Sequence, residues 1–251
     1  METTGNIVTY DLVKFRNVLD LLVSCTVNHR FRFSEKGLSV KCVDPANVFM
    51  ICMEIPKSSF VTYTIEENLD VGIPTEVILG KLREAFYNDI DLGTTFSLKF
   101  ETENNLIYCM TKSYTFVVPM LKNMRAELKV PTIDIPYEFD LATEKLYGAV
   151  KLLDNADQIL FDGTKLTQKV FRPNFGDIIE QSYELDPCSI VTNVEKGCTN
   201  FTREYLIDFL KPLRDVSDVV TVCLGVDYPL IIQTSGDENI KVLLAPRIEH
   251  S

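Results

Sequence analysis

Apolar residues recur along this chain with two spacings, near 3.6 and near 2, and each change between them marks a boundary between helix and strand. Over 11–24, Leu12, Phe15, Val18, Leu19, Leu22 and Val23 fall on one helical face while Lys14, Arg16, Asn17 and Asp20 fall on the other. That pattern predicts an amphipathic helix, preceded by a short apolar opening at 7–10. Alternation over 27–33, 38–43 and 48–55 predicts three strands, the first two joined by the turn Ser34-Glu-Lys-Gly37, with a further short strand near 61–65. A second helix over 76–87 turns Ile78, Leu79, Leu82, Ala85 and Phe86 inward, with Pro74 ahead of its start. Strands near 94–100, 105–110 and 113–118 complete the first half.

The segment 119–136 follows neither spacing. Prolines at 119, 131 and 136 predict an extended crossing segment. Leu121, Met124, Leu128, Val130, Ile133 and Ile135 are too many apolar residues for a flexible spacer. Two roles fit them: docking on the protein's own body, or forming one wall of a groove for a partner. Beyond this connector the same order restarts with a strand at 137–141 and a helix over 143–155 that buries Leu146, Ala149, Val150 and Leu153. Strands near 158–162 and 165–171 form a hairpin through Asp162-Gly163, and strands at 177–186 and 189–194 follow. A fourth helix over 202–216 has Thr202 as its expected N-cap, and Pro212 should bend or shorten its last turn. Strands at 218–224, 228–234 and 239–245 close the chain. A strand–helix–three-strand unit thus occurs four times, at about 60 residues each, as an internal repeat. The expected fold class is α+β, with a first domain over 1–118, a connector over 119–136 and a similar second domain over 137–251.

Sheets of successive antiparallel strands end in edges whose backbone groups must be paired, covered or charged. Tyr114-Thr-Phe-Val-Val118 is apolar, uncharged and runs straight into the connector, and Asp177-Ile-Ile-Glu-Gln-Ser-Tyr-Glu184 is its counterpart in the second half. Pairing one with the other, head to tail between copies, would generate a closed ring. Tyr114, Phe116, Val118, Ile178 and Ile179 are the candidate interface residues. The alternative is that both strands are internal to one sheet.

With 46% hydrophobic and 24% charged residues among 251, the composition is that of a globular protein, large enough for one big domain or two smaller ones. No uncharged apolar run reaches the roughly 18 residues a membrane helix needs, and the first residues lack the pattern of a signal peptide, so the expected location is the cytosol. Seven cysteines without a Cys-x-x-Cys spacing are expected as free, mostly buried thiols. Only two histidines are present, His29 and His250, which argues against a histidine-based triad or metal cage. No phosphate-binding glycine loop or nucleophile elbow occurs, and no carboxylate set has metal-ligand spacing. Neither metal nor cofactor is expected. The net charge of −11 is unevenly spread: the four helical windows hold nine basic and nine acidic residues, so the rest of the chain carries the whole excess.

The C-terminal stretch is the most specific. Gly225-Val-Asp-Tyr-Pro-Leu230, followed by Lys241-Val-Leu-Leu-Ala-Pro-Arg-Ile-Glu249, closely resembles the C-terminus of the DNA sliding clamps of the proliferating cell nuclear antigen (PCNA) family, archaeal members above all. Gly37-Leu-Ser-Val-Lys-Cys-Val-Asp-Pro-Ala-Asn-Val48 resembles that family's signature after the first hairpin. Tyr205-Leu-Ile-Asp-Phe-Leu-Lys211 is similar to its fourth helix, and Ile133-Asp-Ile-Pro136 to the end of its connector. The resemblance covers essentially the whole chain, with 165–200 departing from the family pattern.

The resemblance implies a DNA clamp fold in a ring of three subunits and six similar domains, with helices lining the hole. It further implies a non-enzymatic protein of the prokaryotic cytoplasm, associated with the nucleoid, that binds double-stranded DNA without sequence preference. Its implied partners are the clamp loader replication factor C, DNA polymerase, flap endonuclease and DNA ligase, the enzymes docking through short hydrophobic and aromatic motifs. The DNA-facing residues would be Lys14, Arg16, Lys81, Arg83, Lys145, Lys151, Arg203, Lys211 and Arg214. The partner pocket would comprise Val43, Asn47, Ile133, Ile135, Pro229, Leu243, Leu244 and Ala245. A subunit of a heteromeric or checkpoint clamp is the main alternative, and a carboxylate-dependent two-domain enzyme a more remote one.

Overall fold

Each helix of this protein starts directly where a strand ends, so that strand and helix share one apolar face. The computed structural model describes residues 6–87, 95–122, 124, 128–154, 157–172, 177–193, 198–236 and 238–247. The first half runs β1 (Asn6–Asp11), α1 (Leu12–Val23), β2 (His29–Ser34), β3 (Gly37–Val43), β4 (Phe49–Pro56), β5 (Thr62–Thr64), β6 (Leu69–Ile73), α2 (Thr75–Tyr87), β7 (Thr95–Glu101), β8 (Leu106–Met110) and β9 (Thr115–Pro119). The second runs β10 (Tyr137–Ala142), α3 (Thr143–Leu152), β11 (Gln158–Asp162), β12 (Lys165–Arg172), β13 (Asp177–Glu184), β14 (Ser189–Asn193), β15 (Cys198–Thr202), α4 (Arg203–Leu213), β16 (Val219–Leu224), β17 (Leu230–Thr234) and β18 (Asn239–Leu244).

The chain divides into two compact units, one of residues 1–45, 51–129 and 237–240 and the other of 46–50, 130–236 and 241–251, parting inside the connector at 129/130. In the first unit one sheet has the order β5-β1-β7-β8-β9 and the other β4-β3-β2-β6. In the second the orders are β14-β10-β16-β17-β18 and β13-β12-β11-β15. The two units therefore repeat one plan, with β5 and β14 as short extra strands beside β1 and β10.

In the first unit Phe33 bridges the sheets, its ring 5.1 Å from Phe100 and 6.4 Å from Tyr63, while Phe15 of α1 stacks on Phe96 at 5.3 Å. Asp11 caps α1 by accepting from the Lys14 N–H at 2.9 Å. In the second unit Phe49 stacks on Phe209 of α4 at 5.3 Å, and Phe139, Phe201 and Val222 are fully buried.

Two strands escape sequence reading. β6 carries Asp70 and Gly72 in five residues, which disguises the alternation of Leu69, Val71 and Ile73; Asp70 faces outward and accepts from both Arg30 and Arg32 of the chain around β2. Gly72 is required there, because a Cβ would sit 2.5 Å from the Leu121 carbonyl oxygen, and the Leu121 N–H donates to the Gly72 carbonyl at 2.8 Å. The start of the connector thus covers the open edge of β6. β15, Cys-Thr-Asn-Phe-Thr, has only Phe201 as a strong strand former. Helix ends also differ from expectation. α3 stops at Leu152 instead of 155, which lies outside the described residues. α4 stops at Leu213, one residue past Pro212, and Thr202 occupies its N-cap position without a side-chain capping bond. His250 and residues 173–176 of the atypical stretch lie outside the described residues.

His29 opens β2 in the core, 1% exposed, with Nδ1 2.9 Å from the Thr75 hydroxyl. Among the described residues its Nε2 has no hydrogen-bond partner. Burial lowers its pKa from 6.5 to about 4, a backbone contact with Leu22 opposing the shift. Above pH 6.5 the ring is neutral in folded and unfolded chains alike; between 6.5 and 4 only the unfolded chain takes up the proton, so stability falls as pH falls, by about 3 kcal/mol below pH 4. Urea unfolding at pH 7.5 and 4.5 should show this loss, and His29→Gln should remove about that much of the pH dependence.

Candidate functional site

The helix surfaces come first, because their charges were the candidates for nucleic-acid contact. In the first unit α1 and α2 run antiparallel, Arg16 stacking over Phe86 at 5.3 Å and Arg83 pairing with Asp20. Arg16 also lies 4.0 Å from Asp20 and donates to the Asn17 side chain at 3.1 Å. Lys81 pairs with Glu84 at 3.0 Å, which raises its pKa, and Lys14 lies 3.9 Å from Glu238 with most of its side chain in solvent. In the second unit Arg214 stacks over Tyr147 at 4.8 Å and reaches Glu144 at 3.3 Å and Asp215 at 3.6 Å. Lys145 pairs with Asp186 at 3.0 Å, which raises its pKa, and Lys151 lies 5.9 Å from the Tyr147 ring. Lys211, in the last turn of α4, sits close enough to Asp208 to oppose the upward pKa shift that burial and Glu204 impose on that carboxyl.

Arg203 behaves differently from the other eight. Its guanidinium donates to the carbonyls of Val150 at 3.1 Å and Lys151 at 3.2 Å, capping the C-terminus of α3. It therefore ties α4 to α3, a role that its place at the start of a helix did not signal.

The second surface lies at one end of the β10-β16-β17-β18 sheet. Register sets Phe139, Val222, Ile232 and Val242 in one cross-strand row on the core face, and Glu138, Cys223, Ile231 and Leu243 in the adjacent row on the other face. The next row on that outer face, Asp140, Thr221, Gln233 and Lys241, is half-exposed, as an outer face should be. Cys223, Ile231 and Leu243 nevertheless are only 2–5% exposed. Burial pushes the Cys223 thiol up to about 12. The row is covered at the sheet end where 130–136 enters β10, 225–229 joins β16 to β17, and 245–247 leaves β18.

Of the predicted pocket residues, Asn47, Ile133, Ile135, Pro229, Leu243, Leu244 and Ala245 belong to this unit; Val43, half-buried at the end of β3, belongs to the first. Ala245 donates its N–H to the Val48 carbonyl at 2.8 Å, which brings exposed Asn47, held at φ 58, to the same end. Ile133, Pro229 and Ala245 are half-buried, while Ile135 and Leu243 are buried. Leu244 does not belong to this face: it pairs with Leu230 in the core at 1% exposure. The structure adds Val226 and Tyr228, 51% and 40% exposed, which sequence reading missed. Their turn is held by Thr199, whose hydroxyl donates to the Gly225 carbonyl at 2.9 Å and accepts from the Asp227 N–H. A Cβ at residue 225 would lie 2.7 Å from the Tyr228 ring, so the Gly three residues ahead of the Tyr was the available signal.

The third surface is the pair of sheet edges. β9 is the outer strand beside β8, and β13 the outer strand beside β12. Along β9, Val118 turns into the core, half-buried Phe116 lies with its ring 5.5 Å from that of Tyr114 just ahead of the strand, and Val117, unforeseen, is 47% exposed. On β13, Ile178 is 65% exposed and Ile179 half-buried.

Comparison with known proteins agrees in one direction. The DNA polymerase sliding clamp of Methanosarcina barkeri is 32% identical over 226 residues, 88% of this chain and 89% of the relative. That of Archaeoglobus fulgidus is 27% identical over 249 residues, 97% of this chain and 98% of the relative. Among solved structures, A. fulgidus PCNA with the bound C-terminal region of FEN-1 superposes at TM-score 0.81 with 24% identity, covering 98% of this chain and all of that one. PCNA from Thermococcus kodakaraensis gives 0.81 with 20% identity over 96% of this chain and all of that one. No protein-family model matches the chain. Four strand–helix–three-strand units in two like-built halves, matched over their length by these relatives, define a DNA clamp fold. The chain belongs to the DNA polymerase sliding clamp family.

Because neighbouring leucines face opposite sides of β18, truncating them should have unequal effects. Leu244→Ala should cost about 2–5 kcal/mol in chemical denaturation. Tyr228→Ala, at an exposed turn, should cost under about 1 kcal/mol.

Proposed function

We infer that this chain is a processivity factor: three copies close into a ring around duplex DNA and hold replication and repair enzymes at the template. The observation that carries this reading is the match to sliding clamps along 88% of the chain, at 32% identity. Two outer strands that both carry apolar side chains support the closure. β9 and the residue ahead of it offer Phe116, Val117 and Tyr114, and β13 offers Ile178 with Ile179, so head-to-tail pairing between copies removes both open edges. In the ring the helix pairs turn toward the DNA, where Lys14, Arg16, Lys81, Arg83, Lys145, Lys151, Lys211 and Arg214 meet phosphates through weak, sequence-independent contacts. Each domain of the working clamp corresponds to one strand–helix repeat pair, 1–118 and 137–251, with the connector between.

The outer-face row is the docking place for partners. A short segment with hydrophobic and aromatic anchors fits between Ile133, Pro229 and Ala245, with Tyr228 and Asn47 at the rim and Ile135 and Leu243 as the floor. The A. fulgidus clamp, which binds the C-terminal region of FEN-1, supports a flap endonuclease as one such partner. DNA polymerase and DNA ligase dock in the same way, and replication factor C opens and loads the ring in the cytoplasm, at the nucleoid. The clamp itself contributes no bond-making step. Its effect is topological: a tethered polymerase rebinds the primer end before it diffuses away, because linkage raises its effective concentration.

Light scattering of the purified chain tests closure. Three chains of 28.5 kDa give about 86 kDa, and Ile178→Asp should return the mass to that of one chain without unfolding it. Addition of the loaded protein to polymerase on primed circular DNA should lengthen the products made per binding event. Ile133→Ala should abolish that gain while leaving the 86 kDa assembly; unchanged product lengths with the unaltered protein would exclude the reading.

A further inference from the structure

Asp20, in the third turn of α1, and Glu144, in the first turn of α3, each lie on the first helix of their unit and each faces an arginine of the second, Arg83 within α2 and Arg214 at the C-cap of α4. Asp20, a quarter exposed, lies between two guanidinium groups, Arg16 from its own helix and Arg83 from α2. Glu144, largely exposed, reaches Arg214 at 3.3 Å. Aromatic rings also contact two of these cations, Phe86 against Arg16 and Tyr147 against Arg214. These arginines are among the residues assigned to phosphate contact, so the proposal rests on the sliding-clamp reading. We propose that Asp20 and Glu144 act as internal competitors for DNA phosphate, holding Arg16, Arg83 and Arg214 against the helix surface and so lowering the clamp's grip on the duplex it encircles.

The physical argument is one of exchange. A guanidinium already facing a carboxylate binds a phosphate only by giving up or sharing that partner, and both anions use the same N–H donors. Non-specific affinity for duplex DNA grows with the number of phosphates neutralised, each contributing about −0.9 to the slope of log K against log salt. Cations held by their own helices lower that number. A ring held by topology gains mobility from such weak contacts and has no need of tight ones. Burial would make these ion pairs structural necessities, but the Asp20 and Arg83 side chains are 25% and 62% exposed, within reach of solvent and of a strand of DNA.

The test uses the purified full chain and a fluorescein-labelled 40-base-pair duplex of mixed sequence, with anisotropy read from 20 to 200 mM potassium chloride. Asp20→Asn keeps the shape of the side chain and removes its charge. It should bind about two- to fivefold more tightly at the lowest salt, with a slope steeper by about 1 to 2. Asp20→Glu should restore the original slope. Glu144→Gln should act in the same direction and more weakly, because Arg214 retains Asp215; it also decides the matter should Asp20→Asn fail to fold. A merely structural role for Asp20 predicts a lower melting temperature with no change in slope, and that result would overturn the proposal. An unaltered protein that shows no salt-dependent binding would instead overturn the DNA reading beneath it.

Discussion

In each unit everything else depends on one antiparallel pair of helices burying a shared apolar stripe against the sheets. Leu12, Phe15, Leu19 and Leu22 of α1 meet Ile78, Leu79 and Leu82 of α2 in a fully buried layer; Leu146 and Val150 of α3 meet Leu206, Phe209 and Leu210 of α4 likewise. At roughly 1.5–3 kcal/mol for each large side chain removed from water, this layer outweighs any surface contact. It also fixes which helix faces remain for solvent or a ligand. A cation–aromatic stack locks each crossing, with the roles exchanged: in the first unit the earlier helix supplies the arginine, in the second the earlier helix supplies the ring. The same geometry is kept by different residues, which is how the internal repeat survives when the sequence has diverged.

The sheets impose the second constraint. β5 lies against β1 and β14 against β10, each a short strand that occupies one side of its sheet, and the connector bridges to β6 at Gly72. Edges managed in this way leave β9 and β13 as outer strands with apolar side chains. Val118 shows why strand edges and side chains must be read separately: its backbone lies in the outer strand, yet its side chain belongs to the core.

Partner docking and DNA contact then draw on unlike physics. At the end of the β10-β16-β17-β18 sheet, apolar side chains of an outer face are buried and Ile133, Pro229 and Ala245 stay half-buried, the kind of surface on which the proposed docking by a few apolar anchors would draw. On the helices, charges are interleaved in ion pairs, so long-range attraction survives while individual contacts stay weak and screened. A protein that must hold enzymes firmly and DNA loosely has reason to keep the two kinds of surface apart.

The sequence by itself determined the places of the four helices, the restart of one plan after the connector and the family, because these follow from local periodicity and from runs such as Leu243-Leu-Ala-Pro246 that need no distant partner. Only the tertiary structure decided what depends on chain brought from elsewhere. β6 is a strand because β2, with Arg30 and Arg32, pairs with it, and β15 because β11 does, which their own residues scarcely encode. Arg203 is a helix cap because α3 ends beside it. Tyr228 stands exposed on a turn that Thr199 holds, and Leu243 and Leu244 part company because register, set by the pairing of β17 with β18, puts successive side chains on opposite faces.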